Sequence, residues 1–250
     1  MMLYHQTLDK LRTLRLEGMA QALEEQRQQK DITDLDFEAR FALLVERQWI
    51  WKENRGLATR LKYAQLKIPN ATLEDIDYRL PRGLKRAHID QLRASGWVKQ
   101  ARNCLITGAT GTGKTYLGCA FGHQACRDGY RTIYFYAPKF FRALQLAQVD
   151  GSQLALLKKL ARAALLIIDD LGITSTSPKQ YRDLLEVLDD RHGQGATLIT
   201  SQFPTEEWHG IIGDATVADA IMDRLIHNAY RIKLEGESIR KLRQQTPSDK

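Results

Sequence analysis

Apolar side chains recur at helical spacing through the first quarter of the chain. Leucines and a methionine repeat every three or four positions over residues 3–27, and a second such stretch follows Asp34, a predicted N-cap. A third helical stretch, Glu53 to Leu66, ends just before Pro69, which stops a helix. We therefore predict a small all-helical domain over residues 1–67, followed by a connecting segment over residues 68–95.

A different pattern begins at Trp97, where short apolar runs alternate with amphipathic stretches. The predicted strands are 104–107, 132–136, 164–168 and 196–200, and the predicted helices are 114–127, 138–148, 152–162 and 179–193. Nearly continuous apolar strands separated by helices are typical of a parallel sheet that is covered on both faces. The predicted fold class is α/β, and residues 96–250 form this domain.

A glycine-rich octapeptide separates the first predicted strand from the first helix after it. Residues 108–115 read GATGTGKT and match GxxxxGK[ST], a loop whose glycines let several N–H groups point at one phosphate. Lys114 supplies a positive charge for the β- and γ-phosphates, and Thr115 a hydroxyl ligand for Mg²⁺. We therefore predict ATP and Mg²⁺ as ligands. The predicted nucleotide-binding residues are Gly108, Ala109, Thr110, Gly111, Thr112, Gly113, Lys114, Thr115 and Tyr116.

Two carboxylates follow the apolar run that starts at Leu165. Because the carboxyl ends of parallel strands share one edge of the sheet, Asp169 and Asp170 are expected beside the glycine-rich loop. We predict that Asp169 holds Mg²⁺ and that Asp170 orients and deprotonates an attacking water. The alternative is that one of the two acids only caps the turn before Gly172. Gln202, at the end of the next predicted strand, is expected between the γ-phosphate and Asp170.

Arg224 has two interpretations from the residues around it. It follows the strand that ends at Gln202, so it can be an arginine finger offered to the γ-phosphate of a neighbouring subunit. It can also form an ordinary surface salt bridge with Asp219 or Asp223.

Composition restricts the class of protein and of partner. The chain has 250 residues, 43% hydrophobic and 27% charged, values of a globular protein. The longest apolar run, residues 163–168, is far shorter than the roughly 20 residues that span a bilayer, and the first residues lack a signal-peptide pattern. We expect a cytoplasmic protein with no membrane partner.

The charge is unevenly distributed. The net charge is +7, and the positive excess lies on either side of residues 104–223. This distribution favours a polyanionic partner such as nucleic acid, the alternative being an ordinary solvated surface. The three cysteines form no CxxC pair and are predicted to be buried, reduced thiols, and no histidine or cysteine spacing indicates a structural metal.

Several motifs together resemble one family. GATGTGKT, LLIIDDLG, LITSQFP, IMDRLIHNA and GESIR resemble the AAA+ ATPases of the DnaC/DnaA helicase-loader clade. With the opening LDKLRTLRLEGMAQAL, the chain is most similar to the IstB-type helper ATPases of insertion-sequence transposases, over nearly its whole length. The resemblance implies that Arg224 is a trans-acting arginine finger. Gln202 stands where relatives more often have Asn, and Asp170 where most AAA+ proteins have Glu.

The resemblance also implies an additional helical element after the second strand of the ATPase domain. In relatives this element lines a spiral assembly and touches nucleic acid, and here residues 138–144 and 152–162 fit it. The implied DNA-binding residues are Lys139, Arg142, Lys158, Lys159 and Arg162. Arg240 is either a remnant nucleotide sensor or a basic residue of the tail.

The leading functional hypothesis is an ATP-dependent switch that forms a homo-oligomer, spiral or ring, on double-stranded DNA. By resemblance it binds DNA without sequence specificity, can bend it, and recruits and stimulates a transposase for target-site selection. A replicative helicase loader with the same ATPase is the first alternative. A small-molecule kinase or GTPase is the second, although no NKxD motif is present. A DNA-binding structural protein with an inactive ATP site is the third.

Overall fold

The structure, a computed structural model, describes residues 2–227, 229–239 and 241. The chain divides into two compact units, one that extends to Thr59 and one that begins at Arg60. Residues 60–67, which the sequence assigns to the helical domain, thus fall in the second unit. Arg240 lies outside the described residues. Among the described helices, none is both long enough and apolar enough to cross a membrane.

The first unit is helical, with element boundaries that differ from the predicted ones. It contains α1 (Met2–Thr13), α2 (Glu17–Gln28), a 3₁₀ turn (Lys30–Asp34) and most of α3 (Phe37–Ala64). The stretch 3–27 is two helices because Arg15 adopts a left-handed φ of 59°. Asp34 is not the N-cap; Asp36 accepts the N–H of Ala39 at 2.7 Å instead. The second and third predicted helices are one continuous helix, since no breaker separates them.

A glycine allows α2 and α3 to approach closely. A Cβ atom added at Gly18 would lie 2.8 Å from the carbonyl oxygen of Arg47 and from the Cα of Gln48. The backbone N–H of Met19 donates to the side chain of Gln48 at 3.2 Å. Only a residue without a Cβ permits this spacing of the two helices.

The second unit is an α/β domain with a five-stranded parallel sheet in the order β2-β3-β4-β1-β5. Its strands are β1 (Asn103–Gly108), β2 (Thr132–Tyr136), β3 (Leu165–Leu171), β4 (Ala196–Ser201) and β5 (Ala229–Leu234). Its helices are α4 (Arg86–Arg93), α5 (Gly96–Lys99), α6 (Lys114–Arg127), α7 (Ala137–Asp150), α8 (Gln153–Ala161), α9 (Pro178–Arg191), α10 (Trp208–Ile212) and α11 (Ala215–Ile226). The predicted fold class and the four predicted strands are confirmed.

The sequence analysis missed β5, for an identifiable reason. Ile232 and Leu234 are buried whereas Arg231 and Lys233 are exposed. Only one face of this strand is apolar, so its pattern is weaker than the continuous runs of β1, β3 and β4.

The three cysteines are free and buried in the second unit, as predicted. Burial raises the pKa of the Cys104 thiol to about 12 and that of Cys119 to about 11. Both thiols therefore remain protonated near neutral pH, and a protonated thiol is not a reactive nucleophile.

An arginine at the end of α9 is buried among backbone carbonyls. The side chain of Arg191 is 1% exposed and donates to Leu160 O at 2.5 Å and Ala163 O at 2.8 Å, and also to Ala196 O. Its Nε donates to Thr197 Oγ1 at 3.2 Å, and burial lowers its pKa to about 10. This side chain therefore satisfies carbonyl groups at the end of α8 and joins α8 to α9 and β4.

We expect Arg191→Met to lower the free energy of unfolding by about 3 kcal/mol, because at least two buried carbonyls lose their donors. Urea denaturation followed by circular dichroism measures this loss. Arg182→Met is the matched control: Arg182 makes an exposed ion pair with Asp214 at 3.4 Å, which is worth at most about 1 kcal/mol. Equal losses in the two variants would contradict this role for Arg191.

Candidate functional site

The glycine-rich loop joins β1, in the interior of the sheet, to the N-terminus of α6. Gly108, Gly111 and Gly113 adopt φ values of 148°, 85° and 99°. A Cβ at Gly108 would lie 2.2 Å from Leu234 O, and one at Gly111 would lie 2.1 Å from Ser238 Oγ. Both the backbone conformation and the close neighbours therefore require glycine at these positions.

Lys114, at the first position of α6, folds back onto this loop. Its ammonium group donates to Gly108 O at 2.7 Å and to Ala109 O at 2.9 Å, and the residue is 4% exposed. Burial lowers the pKa of Lys114, while Asp170 and Asp169 act in the opposite direction. The loop thus holds a positive charge next to its own N–H groups.

Asp169 lies at the carboxyl end of β3 and is completely buried. The hydroxyl groups of Thr200 and Tyr134 each donate to it at 2.7 Å, and that of Thr115 at 3.0 Å. Burial, together with this carboxylate, raises the pKa of Tyr134, which therefore remains a hydrogen-bond donor.

The oxygen atoms of Asp169 and Thr115 fit a Mg²⁺ ion, which prefers hard oxygen ligands. In the part of the chain that the structure describes, no three His, Cys, Asp or Glu side chains form a metal-binding group. A cation at this position would therefore rely on these two side chains together with the oxygen atoms of a bound phosphate.

Asp170 points away from Asp169 because the strand changes conformation between them. Its φ is +61°, and the pairing of β3 with β4 shifts register between Ile168 and Leu171. The N–H of Asp170 donates to Thr200 Oγ1 at 2.8 Å, which fixes this turn of the backbone. As a result one carboxylate is buried against Thr115, whereas the other lines an open cleft.

This cleft has a volume of about 760 Å³, large enough for a nucleoside triphosphate. Among the predicted site residues, it is lined by Thr110, Gly111, Gly113, Lys114, Thr115, Tyr116, Asp170 and Gln202. Apolar lining comes from Ile68, Ile76, Leu80, Ile173 and Ile239. The predicted residues Gly108, Ala109, Thr112 and Asp169 are not part of the lining.

Sequence reasoning missed Arg82, a buried cation of the same cleft. The residue is 5% exposed and donates to Thr112 O at 3.4 Å and to Asp77 O at 3.1 Å. The sequence shows Pro81 and Gly83 beside it only as helix breakers. Because the contact with Thr112 joins residues 30 positions apart, no local pattern could have revealed it.

Arg224 does not reach the cleft of its own chain. It forms an ion pair with Asp189 of α9 and donates to Ala220 O at 2.9 Å. The acid partner is therefore Asp189, not Asp219 or Asp223 as the salt-bridge alternative proposed. Its side chain remains 29% exposed to solvent.

The five implied DNA-binding residues are exposed on or next to two helices. Lys139 and Arg142 lie on α7, and Lys158 and Lys159 on α8, with Arg162 directly after it. Both helices lie between β2 and β3 in the chain, at the place where the resemblance implies an additional element.

Comparison with known sequences gives consistent matches over nearly the full length. The family model of the IstB-like ATP binding protein matches residues 9–247. The putative insertion sequence ATP-binding protein y4pL of Sinorhizobium fredii is 46% identical over 96% of this chain and 98% of its own length. The IS1162 putative ATP-binding protein of Pseudomonas fluorescens is 42% identical over 86% of this chain and 92% of its own length.

Comparison with solved structures shows the fold. The crystal structure of DnaI has a TM-score of 0.55 at 24% identity and covers 66% of this chain and 91% of DnaI. AMPPCP-bound DnaA from Aquifex aeolicus has a TM-score of 0.57 at 22% identity and covers 72% of this chain and 56% of that one. These likenesses support the predicted AAA+ type of parallel sheet.

Proposed function

The chain belongs to the family of IstB-like ATP binding proteins, and from this premise we propose that it is a cytoplasmic AAA+ ATPase. It forms an oligomer on duplex DNA, and it recruits and stimulates a transposase during target-site selection. The observation that carries the proposal is the cleft of about 760 Å³, at which Lys114, Thr115 and Asp170 meet. The two relatives described above are insertion sequence ATP-binding proteins, which supports the connection to transposition.

The site residues divide the work of ATP hydrolysis between them. The loop amides and Lys114 hold the phosphates. Thr115 and Asp169 would hold Mg²⁺, which would supply positive charge for the phosphoryl group. Asp170 faces the cleft and accepts a proton from the attacking water. Gln202 lines the same cleft. In this proposal its amide contacts the water or the γ-phosphate.

The position of Arg224 outside its own cleft supports the proposed assembly. A finger that cannot reach its own nucleotide completes the site of an adjoining subunit, so nucleotide binding favours head-to-tail contacts. Such heterologous contacts generate a ring or an open helical oligomer. Light scattering with a non-hydrolysable ATP analogue and duplex DNA tests this, and a protein that remains monomeric would refute it.

DNA binding is expected to depend steeply on salt and little on sequence. If the five exposed lysines and arginines on or next to α7 and α8 each contact one phosphate, log K falls against log salt with a slope of about −4 to −5. Fluorescence anisotropy with two duplexes of unrelated sequence measures both properties. A strong preference for one duplex that persists at high salt would contradict backbone binding.

A replicative helicase loader remains the second candidate, favoured by the likeness to DnaI and to the DnaC helicase loader. The two candidates share the ATPase and differ in the partner protein. Pull-down with a transposase and, separately, with a hexameric helicase distinguishes them, and retention of the helicase alone would replace the first proposal by the second.

A further inference from the structure

A second cleft, of about 520 Å³, lies in the larger unit beside the carboxyl end of β2. It is lined by Gln65, Lys67, Tyr134, Phe135, Tyr136 and Lys139. The ammonium group of Lys67 lies 5.3 Å from the centre of the Tyr136 ring. Two lysines and an aromatic face in one cleft are suited to a phosphate with an attached planar group or sugar.

The other end of β2 carries a similar cluster. The ring of Tyr63 has Arg131 at 5.3 Å and Lys159 at 5.5 Å from its centre. β2 is an edge strand, and the two clusters lie at its opposite ends. Two clusters of cations and aromatic rings along one strand fit the regular phosphates of a nucleic acid better than a single small anion.

Lys67 belongs to the second cleft and also to the nucleotide cleft. Its Nζ lies 3.8 Å from Oδ2 of Asp169, the buried carboxylate that Thr115 also contacts. The side chain of Lys67 is 48% exposed whereas that of Asp169 is fully buried. Lys67 is thus a half-exposed cation placed between a candidate phosphate site and the candidate Mg²⁺ ligand.

We infer that the second cleft binds a phosphodiester group of nucleic acid, and that Lys67 couples this binding to the nucleotide site by moving between the phosphate and Asp169. The inference rests on the proposed function, because it presumes that the chain binds both ligands. It adds Lys67, Arg131 and the aromatic rings of the two clusters to the implied nucleic-acid contacts, which already include Lys139 and Lys159, and it adds a physical connection between the two sites.

The sign of the coupling follows from charge. A bound phosphate attracts Lys67 away from Asp169, and the freed carboxylate then binds Mg²⁺ with its nucleotide more tightly. Mg²⁺ next to Asp169 in turn repels Lys67, which becomes available to the nucleic acid. Coupling between binding sites is reciprocal, and typical values correspond to about 5- to 150-fold in affinity.

The test measures the affinity for a short duplex DNA by anisotropy, with and without Mg²⁺ and a non-hydrolysable ATP analogue. In the wild type we expect at least about fivefold tighter DNA binding when both are present. Lys67→Met should remove most of this ratio and reduce the salt slope by about 1. Lys67→Arg, which keeps the charge, should restore both.

Two further variants separate coupling from simple loss of charge. Lys139→Met should weaken DNA binding yet keep the ratio, since Lys139 lines the second cleft but not the nucleotide cleft. Lys99→Met, at an exposed position on α5, should change neither quantity. Light scattering of the same samples shows whether Lys67→Met still assembles with the analogue.

The outcomes distinguish the inference from the function on which it rests. If the wild type binds no nucleotide or no DNA, the proposed function fails. If it binds both but shows no coupling, or if an assembled Lys67→Met keeps the full ratio, the role of Lys67 is wrong while the proposed function stands. Loss of the ratio together with loss of assembly in Lys67→Met would also overturn this role, because assembly alone would then explain the coupling.

Discussion

Lys114→Ala is expected to weaken ATP binding by on the order of 10²-fold or more and to abolish nucleotide-dependent assembly. The ammonium group is the buried cation that folds onto the glycine-rich loop, and its loss leaves the negative charge of the phosphates without this partner. Titration of a fluorescent ATP analogue by the purified protein measures the affinity.

Two variants serve as controls for this prediction. Lys114→Gln retains a donor for Gly108 O and Ala109 O without the charge, so it shows whether the loss comes from the charge or from a disordered loop. Lys99→Ala removes an exposed lysine elsewhere and should bind normally. An unaltered ATP affinity in Lys114→Ala would exclude the glycine-rich loop as the nucleotide site.

Arg224→Ala is expected to keep ATP binding and to lose hydrolysis by on the order of 10³-fold or more, as is typical of arginine fingers. The guanidinium group lies outside the cleft of its own chain and is paired with Asp189, so its effect on the γ-phosphate requires a second subunit. Steady-state phosphate release, measured under conditions where the wild type assembles, gives the rate.

The ion pair itself supplies the decisive comparison. If Arg224 acts only through a structural salt bridge, Asp189→Asn should reduce hydrolysis as much as Arg224→Ala does. If Arg224 is a finger, Asp189→Asn should keep most of the rate.

Mixing Lys114→Ala subunits with Arg224→Ala subunits should also recover part of the activity, because an intact loop then meets an intact finger. If mixing recovers no activity, and if Asp189→Asn and Arg224→Ala lose hydrolysis equally, then Arg224 acts only through its salt bridge with Asp189.

The candidate residues that the sequence placed at the cleft are those whose positions depend on neighbours in the chain. GATGTGKT specifies its own backbone: three glycines accept positive φ, and the following helix begins at Lys114. The continuous apolar run before Asp169 indicates a strand buried on both faces, and the end of such a strand has only one edge of the sheet to occupy. Local patterns therefore suffice to bring this loop, Asp170 and Gln202 to one cleft.

Other parts of the site depend on contacts between distant segments. Thr200 and Tyr134 hold Asp169 from 31 and 35 residues away, and Arg82 reaches Thr112 across 30. In the sequence, each of these residues is typical of the strand or turn in which it lies, so no local pattern marks it as part of the site. In the helical unit, the boundaries of α2 and α3 depended on one left-handed residue, Arg15, and on Asp36 acting as the cap in place of Asp34.

By itself, the sequence determined the parallel α/β fold, the phosphate-binding loop and the acids that face it, because hydrophobic periodicity and glycine conformation act over a few residues. Only the tertiary structure decided that Asp169 and Asp170 point to different places, that Arg224 pairs with Asp189, and that Lys67 lies between two clefts. These relations arise from sheet order and helix packing, which bring together residues that no local pattern connects.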